Sequence, residues 1–534
     1  MSNHEVIDKK PGSGMNGWIR VVPTEMTPPS LKDNTADTER LIRAIEKALQ
    51  TEKVTIDLAL VSKLPAILRD EAYHVRTILY NEDDTWHVVD LLPFDIREHI
   101  YGLAIDLGSA TIVCRLLDLI THEIREETSF FNPQIEIGPD ILTRIHYASQ
   151  KGGLSTLKTL LSDRLNEEIT HIAERQGIEK RAIVGAAVAG NPTMTHLLLG
   201  LDPHWICREP YIPVINKPGL IKSTEMGLKI HPEAPILVFP NVGSYFGGDL
   251  IAGILATGMT GQEEVSLLVD VGTNAEVVLG NREWLMACAG AAGPALEGGV
   301  AGMGMMAGPG VIDKVVIEPG PGDYSIRTIH DKPPIGICGS GLIDLVAQLF
   351  LAGTIDLRGK FIEKKCGERI KNIDGIKHLV VVFSEDSATG KDLTLSQPDI
   401  DALMRSKAAM YTILTTITKM VNVSIKDIRH FYIAGTFGSY IDPKNAITLG
   451  MIPDLPIETY KSVGNTSLEG ATMALLSAAA KREIDKIRDR ITYVELNVNQ
   501  EFMNLFSAAR FIPHTDRSLF PSVKEWKSRP NITA

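Results

Sequence analysis

The feature that most constrains this chain is a strand–turn–strand unit that occurs twice. Residues 102–119 read GLAIDLGSATIVCRLLDL and residues 266–281 read SLLVDVGTNAEVVLGN. Each is an apolar run, then Asp-x-Gly-[Ser/Thr], then a second β-rich run. The apolar runs predict buried strands, and the glycine between them predicts a tight hairpin. One unit repeated at long separation implies two related lobes rather than a solenoid of short repeats. Helical patterns lie between and beyond the copies, at 154–176, 248–259 and near 398–421. GICGSGLIDLVAQLFLAG (336–353) predicts a glycine turn opening a helix, and RHFYIAGTFGSYIDP (429–443) a strand and turn. Alternating strands and helices predict an α/β architecture.

A length of 534 residues implies several domains. Residues 1–30, with PGSG and TPPS, read as a flexible leader or linker, and 31–100 as a small α+β domain. In that domain Asp37–Leu49 carries a helical stripe at 41, 42, 45, 48 and 49. The first lobe is expected over 101–265 and the second over 266–534. A net charge of −12 argues against a nucleic-acid partner, which needs a basic face. No apolar run reaches the ~18 residues of a membrane helix, and the polar N-terminus lacks the apolar core of a signal peptide. The five cysteines, Cys114, Cys207, Cys288, Cys338 and Cys366, are scattered without a C-x-x-C pair. They predict reduced thiols in a cytoplasmic protein, with no iron–sulfur cluster or zinc site built from this chain.

The hairpins are the candidate chemistry. In Asp106-Leu-Gly108-Ser109-Ala110-Thr111 a tight turn exposes backbone N–H groups, and Ser109 and Thr111 add hydroxyls. Such a turn can cradle phosphates, and Asp106 can hold Mg²⁺ through water. One copy alone reads more readily as an ordinary hairpin with a turn aspartate. The second copy, Asp270-Val-Gly272-Thr273-Asn274, shifts the balance toward function. Two such turns suffice in principle to clamp terminal phosphates, because phosphoryl chemistry is mostly positioning and charge neutralisation. Gly435-Thr436-Phe437-Gly438 can let adenine and ribose lie against backbone, or be a plain strand–helix turn. Asp249, after two glycines at a helix start, reads either as a cap or as a carboxylate that orients or deprotonates an attacking water. Gly339 and Ser340 fit a nucleotide contact or simple helix capping. Asn191 or Thr193 fits a helix cap, and His196 a buried helix residue rather than a metal ligand. The stretch 290–310, rich in Gly with Met303, Met305 and Met306, reads as a mobile loop or an adaptable contact surface.

Taken in order, these motifs resemble the acetate and sugar kinase, heat-shock chaperone and actin superfamily. There 106–111 matches the first phosphate motif, 270–274 the second and 434–438 the adenosine motif, and Asp249 sits where the sugar kinases keep a catalytic carboxylate. PPSLKDNTADTERL, YGLAIDLGSATIV, FFNPQIEIGPDILTRI, AGNPTMTHLLLG, GGDLIAGILATGM, DVGTNAEVVLGN, AAGPALEGG, GICGSGLIDLV and AGTFGSYIDPKNAITLGMIPDLP are similar, from about residue 15 to the end, to the reductive activators of corrinoid-dependent proteins. That resemblance implies two actin-like (ribonuclease H-like) lobes around an ATP cleft, preceded by a small α+β domain. It implies ATP and Mg²⁺ as cofactors, with Asp106, Asp249 and Asp270 as catalytic carboxylates and Asp106 and Asp270 facing the metal. It implies ATP-driven reduction of Co(II) to Co(I) in a corrinoid protein or corrinoid-dependent methyltransferase. A twofold assembly, a homodimer, is compatible with it.

In that family an N-terminal ferredoxin-like domain with a [2Fe–2S] cluster supplies the electron. The present chain starts about where the family's linker starts, so the expected donor is a separate low-potential protein such as a ferredoxin. Ser109-Ala110 replaces two threonines usual in the family, yet Ser109 and Thr111 keep hydroxyl donors. Two other readings stay open: a small-molecule kinase with Asp249 as base, and a nucleotide-gated interaction module without catalysis.

Overall fold

The computed structural model describes residues 17–94, 99–271, 274–291, 301–317, 324–435, 438, 441–495 and 500–523. The chain forms two compact units. The first takes in Met1–Ala256 and Ser467–Asp489, and the second Thr257–Thr466 and Arg490–Ala534.

The first unit opens with a small sheet of β1 (Ile19–Glu25), β2 (Val54–Ile56), β3 (His74–Glu82) and β4 (Thr85–Pro93), in the order β1-β3-β4-β2. The helix Asp37–Leu49 spans the predicted stripe and ends at Gln50, whose positive φ of 53° turns the chain out of the helix. Its Leu41 and Ile45 pack with Leu64, Leu68, Val75 and Leu79 in one apolar core. The stretch expected as a flexible leader differs from expectation. Residues 19–25 within it form β1, paired antiparallel to β3 from Ile19 opposite Tyr80 to Glu25 opposite His74. Pro23 is tolerated there because β1 lies at the edge of the sheet, where one side needs no backbone donor. Trp18, just before it, is buried and donates its indole Nε1–H to the Ala474 carbonyl at 2.8 Å.

The same unit carries a larger sheet of β5 (Tyr101–Leu107), β6 (Thr111–Asp118), β7 (Ile124–Phe131), β8 (Ile183–Gly190), β9 (Gly219–Lys222) and β10 (Pro235–Val238). Its order is β7-β6-β5-β8-β10-β9. β5, β6 and β7 run antiparallel, while β8 and β10 run parallel to β5. The helix Gly153–Gln176 buries Leu157, Leu161, Leu165, Ile169 and Ile172, a stripe at helical spacing, with Leu103, Ile105 and Ile112 of the sheet. The helices Gly248–Thr257 and Thr466–Leu476 cross in contact: a Cβ on Gly470 would lie 2.1 Å from the Ala252 carbonyl oxygen, so only glycine fits. Residues 467–489 were expected in the second lobe. They pack in the first unit because their apolar side chains fill it, Leu475 lying against Gly102 of β5.

The second unit is built on β11 (Ser266–Val271), β12 (Asn274–Gly280) and β13 (Leu285–Ala291). A three-stranded sheet follows from β14 (Val311–Ile317), β15 (Tyr324–Thr328) and β16 (Gly336–Ile337), then another from β17 (Ile370–Ile373), β18 (Ile376–Val382) and β19 (Leu393–Ser396). β20 (His430–Ala434), β21 (Tyr460–Gly464) and β22 (Ile491–Glu495) complete the main sheet, ordered β21-β20-β11-β12-β13-β22. Its first five strands in chain order are arranged as β5, β6, β7, β8 and β10 are in the first unit, so the duplicated motif marks a duplicated sheet. The helix Gln397–Met420 lies in the predicted place, opened by a reciprocal Ser396–Asp399 capping box.

Candidate functional site

β5 is buried until Asp106, which sits partly exposed beside Val113 of β6 and Ala189 of β8. The turn that follows is held from behind at three successive carbonyls. The Gly108 oxygen accepts from Asn132 Nδ2 at 3.0 Å, the Ser109 oxygen from Arg144 Nη2 at 2.7 Å, and the Ala110 oxygen from the Asn132 N–H at 2.9 Å. A trans peptide points its N–H opposite to its C=O. These bonds therefore aim the N–H groups of Ser109, Ala110 and Thr111 away from the buttress, as a site for an anion requires. Gly108 is obligatory, since a Cβ there would lie 2.3 Å from the Thr111 carbonyl oxygen.

Arg144 is 0 % exposed and also donates its Nε–H to the Gly138 carbonyl at 2.8 Å. Burial pulls its guanidinium down to about 10, so it stays cationic at neutral pH. The turn thus rests on a weakly screened positive charge, which favours an anionic ligand.

Three further side chains gather at this hairpin. Asn191 caps the helix Pro192–Leu199, accepting from the Met194 N–H at 2.9 Å, and its Nδ2 donates to Ser109 Oγ at 2.9 Å. Gly247 packs on Asn191, a Cβ there lying 2.6 Å from Asn191 Cα and 2.5 Å from Asp249 Oδ1. Asp249 therefore stands in the first turn of its helix beside the residue that holds Ser109, and its Oδ1 accepts the Leu250 N–H at 2.9 Å. Ser467 donates its hydroxyl to Asp106 Oδ1 at 2.7 Å. His196 is buried, its Nε2 accepting from the Val214 N–H and its Nδ1 on the Pro192 carbonyl, as a helix residue in the core would be.

In the second unit Asp270 ends β11, opposite Glu276 of β12 and Ala434 of β20. The turn after β20 meets it: Gly435 has φ +83°, and a Cβ there would lie 3.0 Å from Asp270 Oδ1. Gly438 packs on Ile433, with a Cβ position 2.5 Å from its carbonyl oxygen. Gly272, Thr273, Thr436 and Phe437 lie outside the described residues, and of Asn274 only the backbone is described. Gly339 and Ser340 start the helix Gly339–Leu351. Ser340 is buried with its hydroxyl 3.2 Å from Cys338 Sγ, and a Cβ on Gly341 would lie 2.3 Å from the Ile312 carbonyl oxygen. The contacts there are those of helix packing on β14. In the glycine- and methionine-rich stretch Met303 is core and Met305 lies against Gly336, while Met306 is 54 % exposed.

Asn132, Arg144 and Ser467 went unassigned in the sequence. The words that contain the first two resemble the family, but nothing in a single sequence marks which residue faces a turn. A fourth group found only in the structure is Asp344 in the second unit. It is 2 % exposed and accepts from Asn445 Nδ2 at 2.7 Å, yet desolvation raises its carboxyl to about 6. A carboxyl above its unfolded value of ~3.9 contributes stability that is present at low pH and lost as pH rises through about 6. Asp344→Asn keeps an acceptor for Asn445. It is expected to stabilise the second unit at pH 7.5 by roughly 1–2 kcal/mol and to have little effect at pH 4. Melting temperatures of both proteins across this range measure it, and parallel curves would reject the account.

Among the described residues no group of three or more His, Cys, Asp or Glu is placed to hold a metal by itself, and no helix is long and apolar enough to cross a membrane.

Two sheets sharing one five-strand order, each leading from an aspartate near a strand end into a hairpin, define the acetate and sugar kinase, heat-shock chaperone and actin class of ATP-binding folds. Within it, the chain belongs to the RACo family: residues 12–98 match the RACo linker region, 101–262 the RACo middle region, and 264–524 the C-terminal ASKHA domain of RACo. It is similar to the corrinoid activation enzyme RamQ of Eubacterium limosum, with 31% identity over 428 residues, 78% of this chain and 72% of that one. The [Co(II) methylated amine-specific corrinoid protein] reductase of Methanosarcina barkeri is 23% identical over 440 residues, 76% of each chain. A solved structure of a reductive activator for corrinoid, iron–sulfur protein superposes with a TM-score of 0.88 at 37% identity, covering 97% of this chain and 82% of that one.

Proposed function

We propose that this chain is an ATP-dependent reductive activator that returns a protein-bound corrinoid from Co(II) to Co(I). The observation that carries the nucleotide half is the Asp106 hairpin, with three carbonyls tied back and a buried cation beneath. The corrinoid half rests on likeness to relatives named for that activity. Ser109, Ala110 and Thr111 offer amides and hydroxyls to phosphate oxygens, and the Gly435 turn offers backbone to the adenosine. Asp106 and Asp270 are oxygen donors of the kind Mg²⁺ prefers, and with its water shell it would neutralise phosphate charge. Asp249 orients or deprotonates the water that attacks the γ-phosphate, giving ADP and phosphate. One electron per cobalt comes from a separate low-potential donor such as a ferredoxin, and ATP supplies the conformational free energy for the uphill transfer.

The test mixes this chain with a Co(II) corrinoid protein, a low-potential donor and Mg·ATP, and follows the cobalt absorption spectrum. Co(I) is expected only with all components present, together with phosphate release. Phosphorylation of an added small molecule in proportion to ATP consumed, with no Co(I), would instead indicate a kinase.

A further inference from the structure

The helix Thr466–Leu476 has no part in the chemistry above, yet it is fastened to the first hairpin at both of its strands. Ser467 Oγ lies 2.7 Å from Asp106 Oδ1 at the end of β5. Arg115 of β6 donates from Nη1 to Glu469 Oε2 at 2.8 Å and to Thr472 Oγ1 at 3.0 Å. Gly470 lets this helix lie directly on Gly248–Thr257, the helix whose first turn carries Asp249. These two helices also carry two of the chain's three passages between the compact units, out between Ala256 and Thr257 and back between Thr466 and Ser467; the third lies between Asp489 and Arg490.

We propose that Ser467 is a positioning residue through which occupation of the Asp106 hairpin by Mg·nucleotide sets the order of the helix Thr466–Leu476; this rests on the nucleotide reading above. A carboxylate accepts about four hydrogen bonds, so a hydroxyl and the water shell of a metal can engage it together. Each fixes the carboxylate for the other. By linkage, a ligand at Asp106 tightens the Ser467 bond as much as Ser467 tightens the ligand. Ser467 is the first residue of the first unit after the return passage, so the tightening acts at the point where the chain enters that unit. Ser467 is buried and small, and the Arg115 bonds and the Gly470 contact hold the helix without it.

The experiment is amide hydrogen exchange of the segment 466–476 in the full chain, with and without saturating Mg²⁺ and a non-hydrolysable ATP analogue. In the unsubstituted protein nucleotide is expected to slow exchange by about tenfold, the scale of one hydrogen bond to a charged group. Ser467→Ala, and Ser467→Cys as a size-matched second variant, should lose that response, and Ser467→Thr should restore it. Binding of the same analogue to Asp106→Asn separates the two ideas. Undiminished binding there overturns the nucleotide reading and the coupling with it. Weakened binding there, with Ser467→Ala or Ser467→Cys responding like the unsubstituted chain, overturns the coupling alone.

Discussion

Asp106→Asn is expected to lower Mg·ATP turnover by about 10²–10³-fold, the loss typical when one preorganised polar group is removed from a charged transition state. The carboxylate lies near the end of a buried strand, is partly exposed, and accepts a hydrogen bond from the Ser467 hydroxyl. Replacing it by the isosteric amide leaves the strand pairing with Val113 and Ala189 in place. The melting temperature should therefore hardly move, which separates chemistry from folding. Asp270→Asn is expected to behave alike, because Asp270 ends the equivalent strand and lies under the Gly435 turn. Phosphate release measured for both variants decides the matter. Turnover unchanged in both would reject the assignment of the two hairpins to nucleotide.

The second large effect is expected at a residue distant from any reacting atom. Arg144→Met removes the donors to the Ser109 and Gly138 carbonyls while keeping an unbranched chain of similar reach in the core. Hydrogen bonds from a charged group contribute ~1.5–3 kcal/mol each, and relief of a buried charge offsets part of their loss. The net cost should be roughly 2–4 kcal/mol, seen as a lower melting temperature of the first unit. Nucleotide affinity should fall about tenfold as well, because the Ser109–Ala110 peptide loses its orientation. Arg144→Lys should rescue little: the two bonds leave from Nε and Nη2 of one rigid fork, which an ammonium cannot imitate. An Arg144→Met protein that melts and binds nucleotide normally would show that the turn needs no buttress.

The parts of this molecule legible in its sequence are those written in local pattern. Asp37–Leu49 announced a helix through its stripe and appears at those residues. The two Asp-x-Gly words announced hairpins, and Tyr101–Leu107 with Thr111–Asp118 and Ser266–Val271 with Asn274–Gly280 form their strands. What stayed hidden is written in distance. Ser467 meets Asp106 from 361 positions away, and Arg144 reaches Ser109 from 35. Such partners have no periodicity to betray them, because the fold and not the neighbouring sequence puts them together. The strand Ile19–Glu25 was hidden for another reason. Its proline and its glycine- and proline-rich flanks speak for a linker, and only an edge position in a sheet reconciles them with pairing.

That edge strand changes how the beginning of the chain should be regarded. The Trp18 indole beside it seals the Ala474 carbonyl, and the Lys481 ammonium lies 4.5 Å above the same ring while donating to Asn81. Trimming the protein at residue 30, as a dispensable tether would invite, strips one border from a sheet and uncovers the rear of the very helix that touches Asp106. The apparent tether is a keystone, and any shortened version meant for the bench should begin ahead of Trp18.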